Sequence, residues 1–464
     1  MKKAKRIVAR TILVLVCLIL LIAAFSIRPV DNTPYFQSQY FHRTIDRLST
    51  IEGQLEPPEI STLKVGYGVT HITPPVGTPL AGYSARKSRP STGVHDSLFA
   101  KAVAFKSDTN EVILIGIDGL IVSRNMAERV MQIITPEIGL KRHRILFNAS
   151  HAHSAAGAWE NSYLGEIFAG NYDQAIFDFL TSQMAKAIFK ARASLKAAVG
   201  TFNSIDLPQF TRNRLIKEYG TIDPEFSYGY FKREDSSHII LGSYSAHPTT
   251  LPSTNMEFSG DYPGYWERWL ERRCSGMAVF FAGGVGSHRP EGKGRAFERA
   301  QYVGEAIAES LYCSLSNMQL NAKFPILSFG LVIDLPEPHV RISDGWRLTP
   351  WISDYLIKEH DSYLQLVAIG KTLMIGTPCD FSGELAAQLK DFAFRKGYRL
   401  IVCSFNGSYL GYIIPSKYYH YVEYESRLMS FYGPTMGDYI PDLMRRMIEI
   451  AIRNIDKAYD ASSS

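Results

Sequence analysis

The chain has 464 residues, 46% hydrophobic and 20% charged, enough apolar material for one large globular core or for two to three average domains. Its net charge of +5 equals the five basic residues Lys2, Lys3, Lys5, Arg6 and Arg10, so the remainder is neutral and offers no basic face for nucleic acid. Five cysteines, with no CxxC spacing, exclude a disulfide framework and a thiolate zinc site.

The basic N-terminus runs into the apolar stretch Ile12 to Ile27. This is the pattern of an export signal or an anchor. The uninterrupted run is about 24 Å long as a helix, slightly short of a bilayer core, and Arg10 and Arg28 can snorkel to close the gap. Cleavage after Ser26, with Ala24 at the −3 position, is the rival reading. The basic end predicts a cytoplasmic N-terminus and an extracytoplasmic body. Residues 1–28 are therefore read as anchor or signal, and 29–62, polar and mixed, as a juxtamembrane linker with one short helix. Residues 63–459 read as one large domain and 460–464 as a disordered tail.

Strand and helix signals alternate through the body. Glu111–Asp118 is a short apolar strand, and Ser123 caps a helical pattern through Ile134. Arg144–Ser150 is a second strand. In the segment 173–191, Ile176, Leu180, Met184 and Ile188 recur every fourth residue on one helical face. Further strands are expected at 237–246, 277–284, 364–370, 372–378 and 398–405, and helices at 298–315, 382–396 and 437–455. The fold class is mixed α/β, with β-sheets flanked by helices.

Polar residues gather where these strands end. Asn148 to Gly157 reads "NASHAHSAAG", with His151 and His153 two apart. If the strand continues through them, both rings share a face. His247 ends another strand, Ser287 lies in the glycine-rich "FFAGGVGSHRP", Asp380 sits between a strand and a helix, and Tyr412 lies just past a strand. Ligand sites of α/β proteins gather at such carboxyl ends. Two imidazoles, a carboxylate and an open position form a common catalytic zinc arrangement. Each residue also has a plain structural role: His247 as a hydrogen-bonded strand end, Asp380 as the cap of the helix near Ser382, Ser287 as a turn residue, and Tyr412 as core.

Several stretches resemble the catalytic domain of the neutral/alkaline non-lysosomal ceramidase family. They are "VGYGVTHITPPVGTPLAGYSAR" (65–86), "HDSLFAKAVAF", "NASHAHSAAG", "SAHPTT" with "FSGDYPGYWE", "GTPCDFSGELAAQL", and the block from "GYIIPSKYYHYVEYES" to "YGPTMGDYI". The resemblance runs from about Val65 to about Met447. It implies that fold, one Zn²⁺ per chain, and hydrolysis of the N-acyl amide of ceramide or a related N-acyl lipid by zinc-activated water. It implies metal ligands at His151, His247, Asp380 and Tyr412. His153, Tyr424 and Arg214 would hold the scissile carbonyl, and Ser287 falls at a further matched position. Asp380 stands where the family has Glu, which leaves Glu384, one helical turn on, as an alternative ligand. Arg212 rivals Arg214. The chain ends with no room for the family's C-terminal immunoglobulin-like domain, so the catalytic domain is expected without it. The expected partners are a lipid substrate and, through the N-terminal segment, a membrane. A non-ceramide amide hydrolase and a non-catalytic envelope protein that retained the fold are the alternative readings.

Overall fold

The computed structural model describes residues 2–463. Four layers stack in the order helices, large sheet, small sheet, helices. The large sheet takes its strands in the spatial order Gly276–Ala282, His238–Tyr244, Glu225–Arg233, Lys196–Asp206, Ser61–His71, Phe99–Ser107, Asn110–Ile117 and Ile145–Ala149. The short strand Lys323–Phe324 also pairs with Ser61–His71. The small sheet runs Ile326–Asp334, Asp361–Ile369, Thr372–Thr377 and Arg399–Ser404. Strand alternation divides the core. Met277, Val279 and Phe281 face Val367, Met374 and Ile401 across the gap between the sheets. Their neighbours Ala278 and Phe280 face outward, onto the helices Asp261–Arg273 and Phe297–Ser314.

The amphipathic segment folds as the helix Gln174–Ala193, with Ile176, Leu180, Met184 and Ile188 buried, as their spacing predicts. It lies unusually close to the sheet. A Cβ at Gly66 or Gly68 would fall 2.1 or 2.2 Å from the carbonyl oxygens of Ala191 and Ala187. Glycine on the strand and alanine on the helix are what let the two backbones approach. Ser123 caps the helix Arg124–Ile138 by accepting from Met126 N–H.

Three parallel β-α-β units set up the site. Asn110–Ile117 and Ile145–Ala149 flank the helix Arg124–Ile138, and His238–Tyr244 and Gly276–Ala282 flank Asp261–Arg273. Thr372–Thr377 and Arg399–Ser404 flank the helix Gly383–Phe394. Parallel strands end on the same side, so their carboxyl ends can share one floor.

Residues expected to form a linker are packed on the body instead. Ile27–Pro29 pairs with Trp346–Leu348, and the helix Gln39–Glu52 buries Phe41, Thr44 and Leu48. A short run of polar sequence hides this because its apolar face is narrow. The C-terminal helix Met436–Ser463 continues through the residues expected as a disordered tail, of which Ser464 lies outside the described residues. All five cysteines are free.

His339 ties the N-terminal segment down. Its Nδ1–H donates to Glu337 O (2.7 Å) and its Nε2 accepts from Asp31 N–H (3.3 Å), which requires the neutral ring. Burial, then the charge of Arg347, pull its pKa from 6.5 down to about 4. The unfolded chain therefore takes up the proton first. Its contribution is complete above pH 6.5 and is lost as pH falls toward 4, at most about 3 kcal/mol. Melting temperatures between pH 7 and 4.5 should fall less steeply in His339→Gln than in the unaltered chain. The remaining slope belongs to other depressed histidines such as His143 and His288, whose pKa values are also lowered by burial.

Candidate metal centre

His151 and His153 follow the strand Ile145–Ala149, but the strand does not carry them. It stops at Ala149, and His151 adopts a left-handed backbone (φ 65°). The kink turns the His151 ring inward, stacked on Phe405 at 4.2 Å and perpendicular to His153. Such a conformation in a non-glycine residue costs on the order of 1–3 kcal/mol and persists where the surroundings enforce it. Gly82, at φ 109°, makes room for His153, since a Cβ there would lie 2.7 Å from the ring. The Arg86 guanidinium grips the loop through the carbonyls of Ala81 (2.7 Å) and His153 (2.5 Å).

His247, from the second β-α-β unit, meets this pair. The nitrogens of His151, His153 and His247 lie within 4.8 Å of one another, all buried. His247 Nε2 is 2.8 Å from His153 Nε2, which is 3.4 Å from His151 Nε2. Asp380, from the third unit, brings Oδ1 to 3.1 Å from His151 Nε2 and 3.7 Å from His247 Nδ1. Its Oδ2 accepts from the Tyr409 hydroxyl at 2.8 Å.

The tautomers follow from the partners. His151 Nδ1 faces the carbonyl of Leu120 at 2.6 Å and must donate, and His247 Nδ1 donates to Val285 O at 3.3 Å. Each Nε2 therefore presents a lone pair to the centre. For His151 that lone pair faces a carboxylate oxygen, and Asp380 Oδ1 is buried with no hydrogen-bond donor. Two acceptors across 3.1 Å leave a place for a cation between them. Burial, then neighbouring positive groups, hold the pKa values of His153 and His247 well below the ordinary value, so both rings are neutral and suited to coordination. The donor set of imidazole nitrogens and a carboxylate oxygen fits a divalent metal ion.

Two tyrosines and an arginine complete the floor. Tyr412 pairs backbone to backbone with Asp380, stacks beside His247, and accepts from Arg214 Nη2 at 3.0 Å. Arg214 Nε lies 2.7 Å from Glu425 Oε1. Burial opposes the charge on Arg214, but Tyr412, Glu425 and Asp380 outweigh it, and the guanidinium stays charged. Tyr424 packs edge-on to Tyr412, and burial pushes its phenol up to about 12.

Several open choices close here. Arg212 is exposed and pairs with Glu291, so Arg214 is the arginine at the centre. Glu384 points away, to Lys417 Nζ at 2.8 Å. Asp380 does not cap the following helix. That task falls to Ser287, whose hydroxyl accepts from Gly383 N–H at 3.1 Å and contacts Ser382 and His288 Nδ1. Ser287 thus lies in the scaffold behind the cleft, outside its lining. The sequence reading missed Tyr409, Glu425, Phe405 and Arg86. Tyr409 and Glu425 stand within three residues of Tyr412 and one of Tyr424, which was the available signal.

A cleft of about 670 Å³ opens over the centre. Its walls include Leu120, Ile121, Trp159, Leu164, Phe168, Leu356, Ile357, Met429 and Phe431, with His151, His153, Asp380, Tyr409, Tyr412 and Tyr424 at the floor. Arg124, Glu160, Glu166, Lys358 and Glu359 also line it, so the walls are mixed, and its size is that of small-molecule sites.

Tyr409→Phe removes the hydroxyl that orients Asp380. It should weaken metal binding by roughly 10–100-fold, read by competition with a chelator, while leaving the fold intact by circular dichroism.

Fold and site together define an α/β protein with a buried histidine-carboxylate centre beneath a cleft with large apolar walls. Residues 63–287, just under half of the chain, match the profile of the neutral/alkaline non-lysosomal ceramidase family, N-terminal domain. A curated relative, the neutral ceramidase of Mycobacterium tuberculosis, is 20% identical over 314 residues, 58% of this chain and 49% of the relative. The chain thus spans about half the length of that relative. The crystal structure of neutral ceramidase from Pseudomonas aeruginosa superposes with a TM-score of 0.71 at 16% identity, covering 85% of this chain and 75% of that one. A ceramidase complexed with C2 matches with the same TM-score of 0.71 and the same coverage. At that identity the likeness to the solved structures carries the fold, which agrees with the mixed α/β class read from the sequence.

Proposed function

We propose that the chain is a zinc-dependent amidase that cleaves the N-acyl amide of ceramide or a related N-acyl lipid, anchored to a membrane with its catalytic domain outside the cytoplasm. The observation that carries this is the Asp380 Oδ1 left without a donor and the inward-facing imidazole lone pairs at the floor of a cleft with large apolar walls. The match to the ceramidase profile and the ceramidases that the chain resembles support the same reading. A hydrolase of a short polar amide fits less well, because its cleft would not need this apolar lining.

His151, His247, Asp380 and Tyr412 would hold the ion, with His153 beside them. When bound, zinc supplies an activated water and polarises the amide carbonyl. Asp380 accepts the proton of the attacking water and passes it to the departing amine nitrogen. Tyr424, protonated at neutral pH, donates its hydroxyl hydrogen to the carbonyl oxygen as negative charge develops, and His153 supports it. Arg214 holds Tyr412 and adds positive potential from behind. The apolar walls take the acyl chain and exclude bulk water.

The test is elemental analysis of the purified chain together with hydrolysis of an N-acyl sphingoid base and of an N-acyl amino acid. One zinc per chain and a preference for the sphingoid substrate are expected. Absence of zinc after supply during folding would overturn the reading. In His153→Ala, retained metal with lost activity supports the carbonyl role, and lost metal would make His153 a ligand.

A further inference from the structure

The helix Lys2–Ser26 lies outside the core, and its segment Ala4–Ser26, 23 residues or about 34 Å, is long enough to cross a bilayer core with the basic residues at its start snorkelling to the surface. It passes without a spacer into Ile27–Pro29, which pairs antiparallel with Trp346–Leu348. Two hydrogen bonds fasten the helix end itself. Thr349 N–H donates to Ser26 O (2.9 Å), and Trp351 Nε1–H donates to Phe25 O (3.2 Å). The receiving segment continues as the helix Pro350–Leu356, and its Tyr355 and Leu356 line the cleft. The anchor is therefore joined to the cleft rim and not to a remote face.

The rim is apolar beyond the cleft. Trp351 is 66% exposed, Tyr355 73%, Val422 76% and Leu428 64%. The turn that bears Val422, Tyr424 and Leu428 is locked to the anchor-bearing segment by Arg427 pairing with Asp344 and by Arg341 donating to Ser426 O. Isolated exposed apolar residues are ordinary, but here four large ones lie on two segments tied to each other beside the cleft. Aromatic side chains of this kind favour the membrane interface. A helix that spans the bilayer must place Phe25 and Ser26 at its surface, and the residues bonded to them share that depth.

We infer that the cleft mouth is seated on the bilayer from which the anchor emerges, with Trp351, Tyr355, Val422 and Leu428 in the headgroup layer. A two-chain lipid then passes from the leaflet into the cleft without crossing water. The choice of an N-acyl lipid as cargo rests on the function proposed above. The seating itself does not.

The test uses the full chain with Cys17, Cys274 and Cys313 replaced by Ser, in phosphatidylcholine vesicles. Nitroxide labels are placed at Tyr355→Cys, Val422→Cys and, as a control, Phe394→Cys, at the far end of the helix that begins behind Asp380. Labels at 355 and 422 should collide preferentially with oxygen, and the label at 394 with a water-soluble nickel chelate. Equal nickel access at all three positions would overturn the inference. A twelve-residue Gly-Ser insert between Ser26 and Ile27 should then lower hydrolysis of vesicle-borne ceramide about tenfold or more, while detergent-dispersed short-chain substrate is cleaved as before. Unchanged vesicle activity would show that the fastening is not what delivers substrate, and would also overturn it. If the unaltered chain cleaves neither substrate, the functional reading fails and the label depths still decide the seating.

Discussion

Asp380→Ala is expected to yield a folded chain that retains no zinc and hydrolyses no measurable amide, whereas Glu384→Ala retains both. The loss should exceed the roughly 10²–10³-fold that follows removal of a single oxyanion donor, because metal retention and proton transfer disappear together. The two carboxylates are four residues apart and equally buried, yet their partners differ. Asp380 Oδ1 faces His151 Nε2 at 3.1 Å, and Glu384 faces Lys417 at 2.8 Å. Elemental analysis beside a hydrolysis assay separates them. Zinc lost from Glu384→Ala and kept in Asp380→Ala would reverse the assignment. The shorter Asp is served by a close backbone, since Asp380 lies in a short strand paired with Tyr412 and its neighbour Phe381 accepts from Gly286 N–H at 2.8 Å.

Arg214→Ala should be costly in two separable ways. The guanidinium is the buried partner of Glu425, whose side chain is only 7% exposed, and it donates to Tyr412. Breaking one half of a buried pair costs about 3–5 kcal/mol, which denaturant titration would read directly. Loss of its positive charge behind the reacting carbonyl should lower kcat by roughly 10²–10³-fold. Arg214→Met with Glu425→Gln removes both charges and should recover most of the stability but none of the rate. Recovery of the rate as well would make Arg214 purely structural. Arg214→Lys should not rescue, because one ammonium cannot reach Tyr412 and Glu425 in the fork geometry of arginine.

Much of this centre could be read from the chain. His151, His247, Asp380, Tyr412, Tyr424 and Arg214 all come together around one centre, and the strand-end positions of the first four were legible because an apolar run followed by a polar residue is a local pattern. The reason His151 and His153 face each other was not. Period-two alternation predicts a shared strand face, and the structure uses a left-handed kink at His151 instead. Phe99–Ser107 also escaped notice as a strand. It carries Lys101, which looks like a surface residue until Glu267 and Glu271 are brought to 2.8 and 2.7 Å from its ammonium by a helix more than 160 residues away.

The sequence by itself determined the alternation of strands and helices, the resemblance to a family and the residue types able to bind a metal. Each rests on neighbours a few positions apart, where spacing maps onto geometry. Tertiary structure alone decided which carboxylate and which arginine reach the centre, that Ser287 supports a helix N-terminus, and that the N-terminal segment is fastened beside the cleft. These choices depend on side chains from different β-α-β units meeting across two sheets, and no local pattern encodes which partner will occupy the other side of a packed interface.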